Sequence, residues 1–77
     1  MSEQAAVELV EFIAKAIVND EDAVAVTPCE GGRTLELETA SDDRGRVIGR
    51  QGRIAKAMRA VLAASASAAH CRLEIVD

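Results

Sequence analysis

The sequence predicts an α+β fold, with one three-stranded mixed sheet and helices packed on one face. Three observations predict it. Apolar residues recur at helical spacing near the N-terminus and again after residue 53. They alternate at spacing two in three short segments. The first two of those segments are joined by a tight glycine turn, whereas a helical stretch separates the second from the third. The 77 residues make one domain, 1–77.

The first element is a helix over 3–19. Ala6, Val10, Ile13, Ala14 and Ile17 form one stripe, and Glu8, Glu11 and Lys15 form a narrow polar one. Leu9, Phe12 and Ala16 widen the apolar arc. A helix lying in a groove explains that width, and so does a helix that buries a second side against a partner. Asn19-Asp20-Glu21-Asp22 ends it. A strand follows over 23–27, with Val24 and Val26 on one face and Pro28 ending it or marking a sheet edge. Glu30-Gly31-Gly32-Arg33 is a hairpin turn. The second strand spans 34–39, with Leu35 and Leu37 inward and Glu36 and Glu38 outward.

Ala40-Ser41-Asp42-Asp43 reads as a loop ending in helix caps. One helical turn covers 44–48, glycines interrupt it at 49–52, and a longer helix runs over 53–67. Its predicted buried stripe is Ile54, Met58, Val61 and Leu62, helped by Ala57 and Ala68. The last strand covers 70–76, with Cys71, Leu73 and Ile75 inward. The hairpin makes strands one and two antiparallel. The helical connection sets strand three parallel to a central strand two.

Composition narrows the function. Half the residues are hydrophobic, but fifteen are Ala and Phe12 is the one aromatic, so the core is thin and a deep substrate cavity is excluded. An acidic N-terminus and short apolar runs predict a soluble, cytoplasmic protein with no membrane partner. Cys29 and Cys71 are expected to be idle or buried thiols. Adjacent His70 and Cys71 on a strand point to opposite faces and cannot share an ion, so no metal and no cofactor is expected.

Charge is segregated. Residues 1–43 hold eleven Asp/Glu against Lys15 and Arg33, a net of −9. Residues 44–77 hold seven Lys/Arg against Glu74 and Asp77, a net of +5. The stretch 44–59 carries Arg44, Arg46, Arg50, Arg53, Lys56 and Arg59 and no acid. A phosphate backbone responds to such a local patch whatever the net charge of the chain. Gly49 and Gly52 bracket Arg50 and Gln51 between the two helical pieces. Glycine permits close approach of a ligand, and the following helix directs its N–H groups and positive dipole end at the same place.

The segment Val47-Ile48-Gly49-Arg50-Gln51-Gly52-Arg53 resembles the V-I-G-x-x-G signature of KH domains. The α-β extension before the β-α-α-β core is similar to the type II arrangement, giving α-β-β-α-α-β. Over its whole length the chain resembles the small single-KH RNA-binding proteins of bacteria, the KhpA family. One position departs: Ala55 stands where KH signatures place a bulky aliphatic. The resemblance implies single-stranded RNA binding without catalysis. Gly49 and Gly52 would admit the backbone, and Arg50 and Gln51 would touch phosphate at the loop tip. Val47, Ile48 and Ala55 would help form the groove for the bases. Our own additions are Arg44, Arg46, Arg53, Lys56 and Arg59 as flanking electrostatic contacts; a solvated helix face is the plainer role for Arg44 and Arg59. The resemblance further implies an RNA chaperone or post-transcriptional regulator, linked to cell division and cell-wall control. It would act as a homodimer or beside a larger multidomain KH protein of the Jag type.

Three other readings compete. A helix-turn-helix DNA binder fits the glycine turn but not the short first helix or the flanking strands. A nucleotide-binding enzyme lacks both phosphate-loop motifs, and no nucleophile–base pair accompanies His70. A protein-interaction module without RNA affinity is opposed by the basic Arg50.

Overall fold

Helix α1 (Glu3–Ile17) opens the chain in the computed structural model, which describes residues 3–65 and 71–76. Ala6, Val7, Val10 and Ala14 are buried, at the i, i+1, i+4, i+8 spacing that puts them on one face. Phe12 lies off that face and is 75% exposed. A one-turn 3₁₀ segment, Glu21–Ala23, then delays the first strand. Strand β1 is Ala25–Cys29, so it begins and ends two residues later than the alternation predicts. It contains Pro28, tolerated because β1 is an edge strand and needs no N–H on its outer side.

Strand β2 (Thr34–Glu38) is central, in the order β1-β2-β3. It pairs antiparallel with β1, Val26 opposite Leu37 and Pro28 opposite Leu35. It pairs parallel with β3 (Arg72–Ile75), Leu35 opposite Leu73 and Leu37 opposite Ile75. Leu35 and Leu37 are fully buried, as their alternation predicts. Helix α2 (Arg44–Ile48) and helix α3 (Arg53–Ala64) complete the covered face. The fold is α+β, a three-stranded mixed sheet with three helices. Helix α3 ends at Ala64, where Ser65 turns to extended backbone, so it stops short of the predicted residue 67; the packing of Ala68 and the position of His70 lie outside the described residues.

Helix α3 is turned relative to its predicted stripe. Ala55, Met58 and Leu62 face the core at 3% exposure or less. Val61 is 43% exposed, Ala57 is exposed and Ile54 is half-buried. Residues 54, 57 and 61 form the next i, i+3, i+7 row. With Met58 of α3 and Ile13 and Ile17 of α1, they line an apolar groove of about 190 Å³.

Asp43 does not cap its own helix. Its carboxylate, 2% exposed, accepts the Asn19 N–H at 3.1 Å and the Asp20 N–H at 3.0 Å. It therefore ties the segment after α1 to the start of α2, across 24 residues of chain. The hydrogen bonds from Asn19 and Asp20 hold its pKa below the usual Asp value; burial opposes them and Arg46 assists.

Candidate nucleic-acid interface

The turn between α2 and α3 is built from left-handed backbone. The Gly49 N–H donates to the Gly45 carbonyl at 2.9 Å and closes α2. Gly49 then takes φ 77°, ψ 171°, a region open essentially to glycine alone. Residues Arg50–Gly52 make one 3₁₀ turn, closed by Gly52 N–H to the Gly49 carbonyl at 3.1 Å. Gln51 has φ 57° and Gly52 φ 75°. Gly49 sits directly against α3: a methyl group there would overlap the Ile54 side chain and lie 2.9 Å from the Ile54 backbone nitrogen. Gly52 has open space beside it and needs glycine for its dihedral angles only.

Gly52 is the residue before α3 and carries no capping side chain, so no side-chain oxygen covers the first N–H groups of that helix. Around this end stand Arg50, Gln51, Arg53 and Lys56, all exposed. Arg46 is engaged by Asp43 at 3.4 Å, with its side chain still 55% exposed. Arg44 is half-buried. Of the apolar residues expected in the groove, Ile48 presents surface at 36% exposure. Val47 (0%) and Ala55 (3%) lie beneath the turn, in the interior.

Arg59 is placed differently from the other cations. Its Nε and Nη2 donate to the Leu73 carbonyl at 3.3 and 3.2 Å, which holds it against β3 rather than beside the turn. Periodicity could not reveal that bond, nor the reach of Asp43 to Asn19, because both partners lie far apart in the chain. The Asp42-Asp43 pair did signal an N–H acceptor; its target was the segment that follows α1.

The thiols are free and half-buried. Burial, and next the carboxylate of Glu36, push the Cys29 pKa up, so it remains a thiol and a poor nucleophile at neutral pH. The Cys71 thiol donates to the Gly32 carbonyl at 3.2 Å. Among the described residues no three His, Cys, Asp or Glu converge on a metal position. No helix among them is long and apolar enough to cross a membrane.

Two helices joined by a glycine turn, set on a sheet whose third strand runs parallel to its second, are the architecture of a KH domain. The leading helix and strand are those of its type II arrangement. The family model for the KhpA/KhpB KH domain matches residues 7–76, and the chain belongs to that family. It is 50% identical over 74 residues to the RNA-binding protein KhpA of Treponema pallidum, covering 91% of this chain and 92% of the relative. The KhpA of Borreliella burgdorferi is 45% identical over 75 residues, 92% of each chain. That of Listeria monocytogenes is 42% identical over 74 residues, 91% of this chain and 97% of the relative. No solved structure gives a significant match.

Proposed function

We propose that the chain is a non-catalytic, cytoplasmic single-stranded RNA-binding protein that clamps the RNA backbone at the Gly49–Gly52 turn. The observation that carries this reading is the turn itself. A left-handed backbone brings an uncapped helix start and the exposed Arg50, Arg53 and Lys56 together, and no acid occurs within 44–59. The names of the relatives, RNA-binding proteins, support it. Gly49 and Gly52 admit the backbone, Arg50 and Gln51 touch phosphate, and Arg53, Lys56 and Arg46 add field. Ile48 offers the apolar surface for a base, and Val47 and Ala55 seat the turn from below. With no Tyr or Trp for stacking, affinity is modest and salt-dependent, as suits an RNA chaperone or post-transcriptional regulator.

Anisotropy of a labelled unstructured RNA tests this, with the wild type and Arg50→Asp/Gln51→Asp at two salt concentrations. The wild type binds and weakens with salt, and the folded loop variant does not bind. Equal binding by both proteins places the site elsewhere. Absence of binding by the wild type at low salt favours a protein-interaction module.

A second reading concerns assembly. Phe12 and Val61 expose apolar surface, and Val61 lines the groove between α1 and α3. This supports pairing of the chain through α1 and α3, with a second copy or with the KH domain of a larger Jag-type protein. Pairing would raise avidity on one RNA. Sedimentation of the wild type and Val61→Glu tests it; a wild-type monomer at all concentrations, alone and with such a partner, overturns it.

A further inference from the structure

The outer edge of β1 is open, and its hydrogen-bonding groups are unbalanced. The carbonyls of Arg33 and Leu37 accept from the Arg72 and Val76 N–H groups, so Arg33, Leu35 and Leu37 direct their backbone groups at β3. Thr34, Glu36 and Glu38 therefore direct theirs at β1, where they pair with Cys29, Thr27 and Ala25. Val26 and Pro28 fall between those positions, so their backbone groups point away from the sheet. Val26 presents an N–H and a carbonyl there, and Pro28 a carbonyl alone. The Val24 carbonyl points the same way, because it is trans to the Ala25 N–H that faces β2. The Val24 N–H is already spent on the Glu21 carbonyl at 3.1 Å. Three carbonyls and one N–H therefore line the edge. Among the described residues no backbone pairs with it.

The surroundings of this edge carry the same sign. Glu21 and Asp22 stand exposed before β1, and Glu30 after it. Glu36 and Glu38, opposite Thr27 and Ala25, project from the sheet face that the helices leave open, since Leu35 and Leu37 take the covered one. The Cys29 thiol at the end of β1 registers this field: burial first, then Glu36, Glu30 and Glu74, push its pKa up. A second copy of the chain does not satisfy such an edge. Antiparallel self-pairing about Val26 would set Pro28 of one copy against Val24 of the other, where neither has an N–H to give. It would also set acid against acid. The edge calls for a strand of different sequence that brings N–H donors and positive charge.

We propose that the β1 edge receives an extended Lys/Arg-rich segment of another protein as a fourth strand. The N–H groups of that segment meet the outward carbonyls of Val26 and Pro28, and its basic side chains on the open face meet Glu36 and Glu38. The site is independent of the RNA-clamp reading and of pairing through α1 and α3. If Pro28 serves only to blunt the edge against pairing, no such segment binds.

The test titrates the isotope-labelled full chain with a short peptide of alternating Lys and Val, which sets lysines on one face and valines on the other. The peptide shifts the amide signals of β1 and slows hydrogen exchange at the Val26 N–H, the one donor on the edge, roughly tenfold or more. A Glu-Val peptide of the same length does not bind. A fully N-methylated Lys-Val peptide, which keeps the charge and loses the donors, does not bind either. Glu36→Gln/Glu38→Gln, a change on the open face, weakens the Lys-Val peptide roughly fivefold, as the loss of two exposed charge pairs should. Arg50→Asp/Gln51→Asp binds it like the wild type. Absence of wild-type binding at low salt overturns the proposal, and so does equal binding of the Glu-Val or the N-methylated peptide; neither result needs a variant to fold. Shifts confined to β3, to the glycine turn or to the groove between α1 and α3 overturn it as well. Protection of Val26 that grows with protein concentration, without peptide, gives the edge to a second copy and overturns it too.

Discussion

Gly49 lies so close to Ile54 that the first residue of the glycine turn and the first turn of α3 form one rigid joint. No side chain fits at Gly49, and its φ of 77° with ψ of 171° excludes other residues even without a neighbour.

Gly49→Ala is therefore expected to destabilise the fold by roughly 2–4 kcal/mol, combining strain with overpacking. Gly52→Ala meets no atom and carries the left-handed cost alone, about 1 kcal/mol. Denaturant unfolding of the two variants checks the ordering; equal losses would remove Ile54 from the explanation.

Gln51 holds φ 57° with a side chain at the tip. Gln51→Gly should relieve this, and Gln51→Val, β-branched at a left-handed position, should cost about 1–2 kcal/mol. Thermal midpoints of the two variants are predicted to move in opposite directions.

Helix α2 contains Gly45, which has open space around it and no positive φ. Gly45→Ala should stabilise the helix by about 0.5–1 kcal/mol, seen as a rise of a few degrees in Tm. A fall would mean that the backbone there is not helical in solution.

Asp43 is the pH-sensitive joint. Its folded pKa is lowered by the Asn19 and Asp20 N–H groups, so its contribution is present above its unfolded pKa, near 3.9. The contribution is lost as pH falls through the lower folded value. Asp43→Asn should be less stable than wild type at pH 7, and the gap should narrow as the pH falls below about 4. A gap constant from pH 7 to pH 2 would show that the carboxylate charge is not what holds α1 to α2.

Lys56 stands exposed one turn into α3. If it meets a phosphate, Lys56→Gln should flatten the slope of log K against log salt by about 0.7 for single-stranded RNA. It should weaken all sequences alike. An unchanged slope assigns Lys56 to the solvated surface.

Much of this molecule was legible in the order of its residues. The alternation of Leu35 and Leu37 placed both in the core, because a strand's side-chain period of two leaves no choice once one face is covered. Arg44–Ile48 and the glycine turn were legible as well, since a backbone position that only glycine tolerates leaves a mark in the sequence. Strand β1 was displaced because the apolar alternation already starts at Ala23 and Val24, inside and just after the Glu21–Ala23 turn, so spacing does not mark where the turn ends and the strand begins. The rotation of α3 was not legible. Its apolar arc is wide and Ala-rich, so periodicity defines an arc without choosing which edge meets the sheet.

Taken alone, the sequence determined the α+β class, the inward residues of the central strand, the segregation of charge and the G-x-x-G turn. Each follows from local periodicity or local backbone sterics. Only the tertiary structure decided that Asp43 bonds Asn19 and Asp20, that Arg59 bonds Leu73, and that Val61 and Ala57 face outward while Ala55 faces in. Those outcomes depend on which distant backbone groups are left unpaired when helices dock on a sheet, and spacing along a chain carries no record of that.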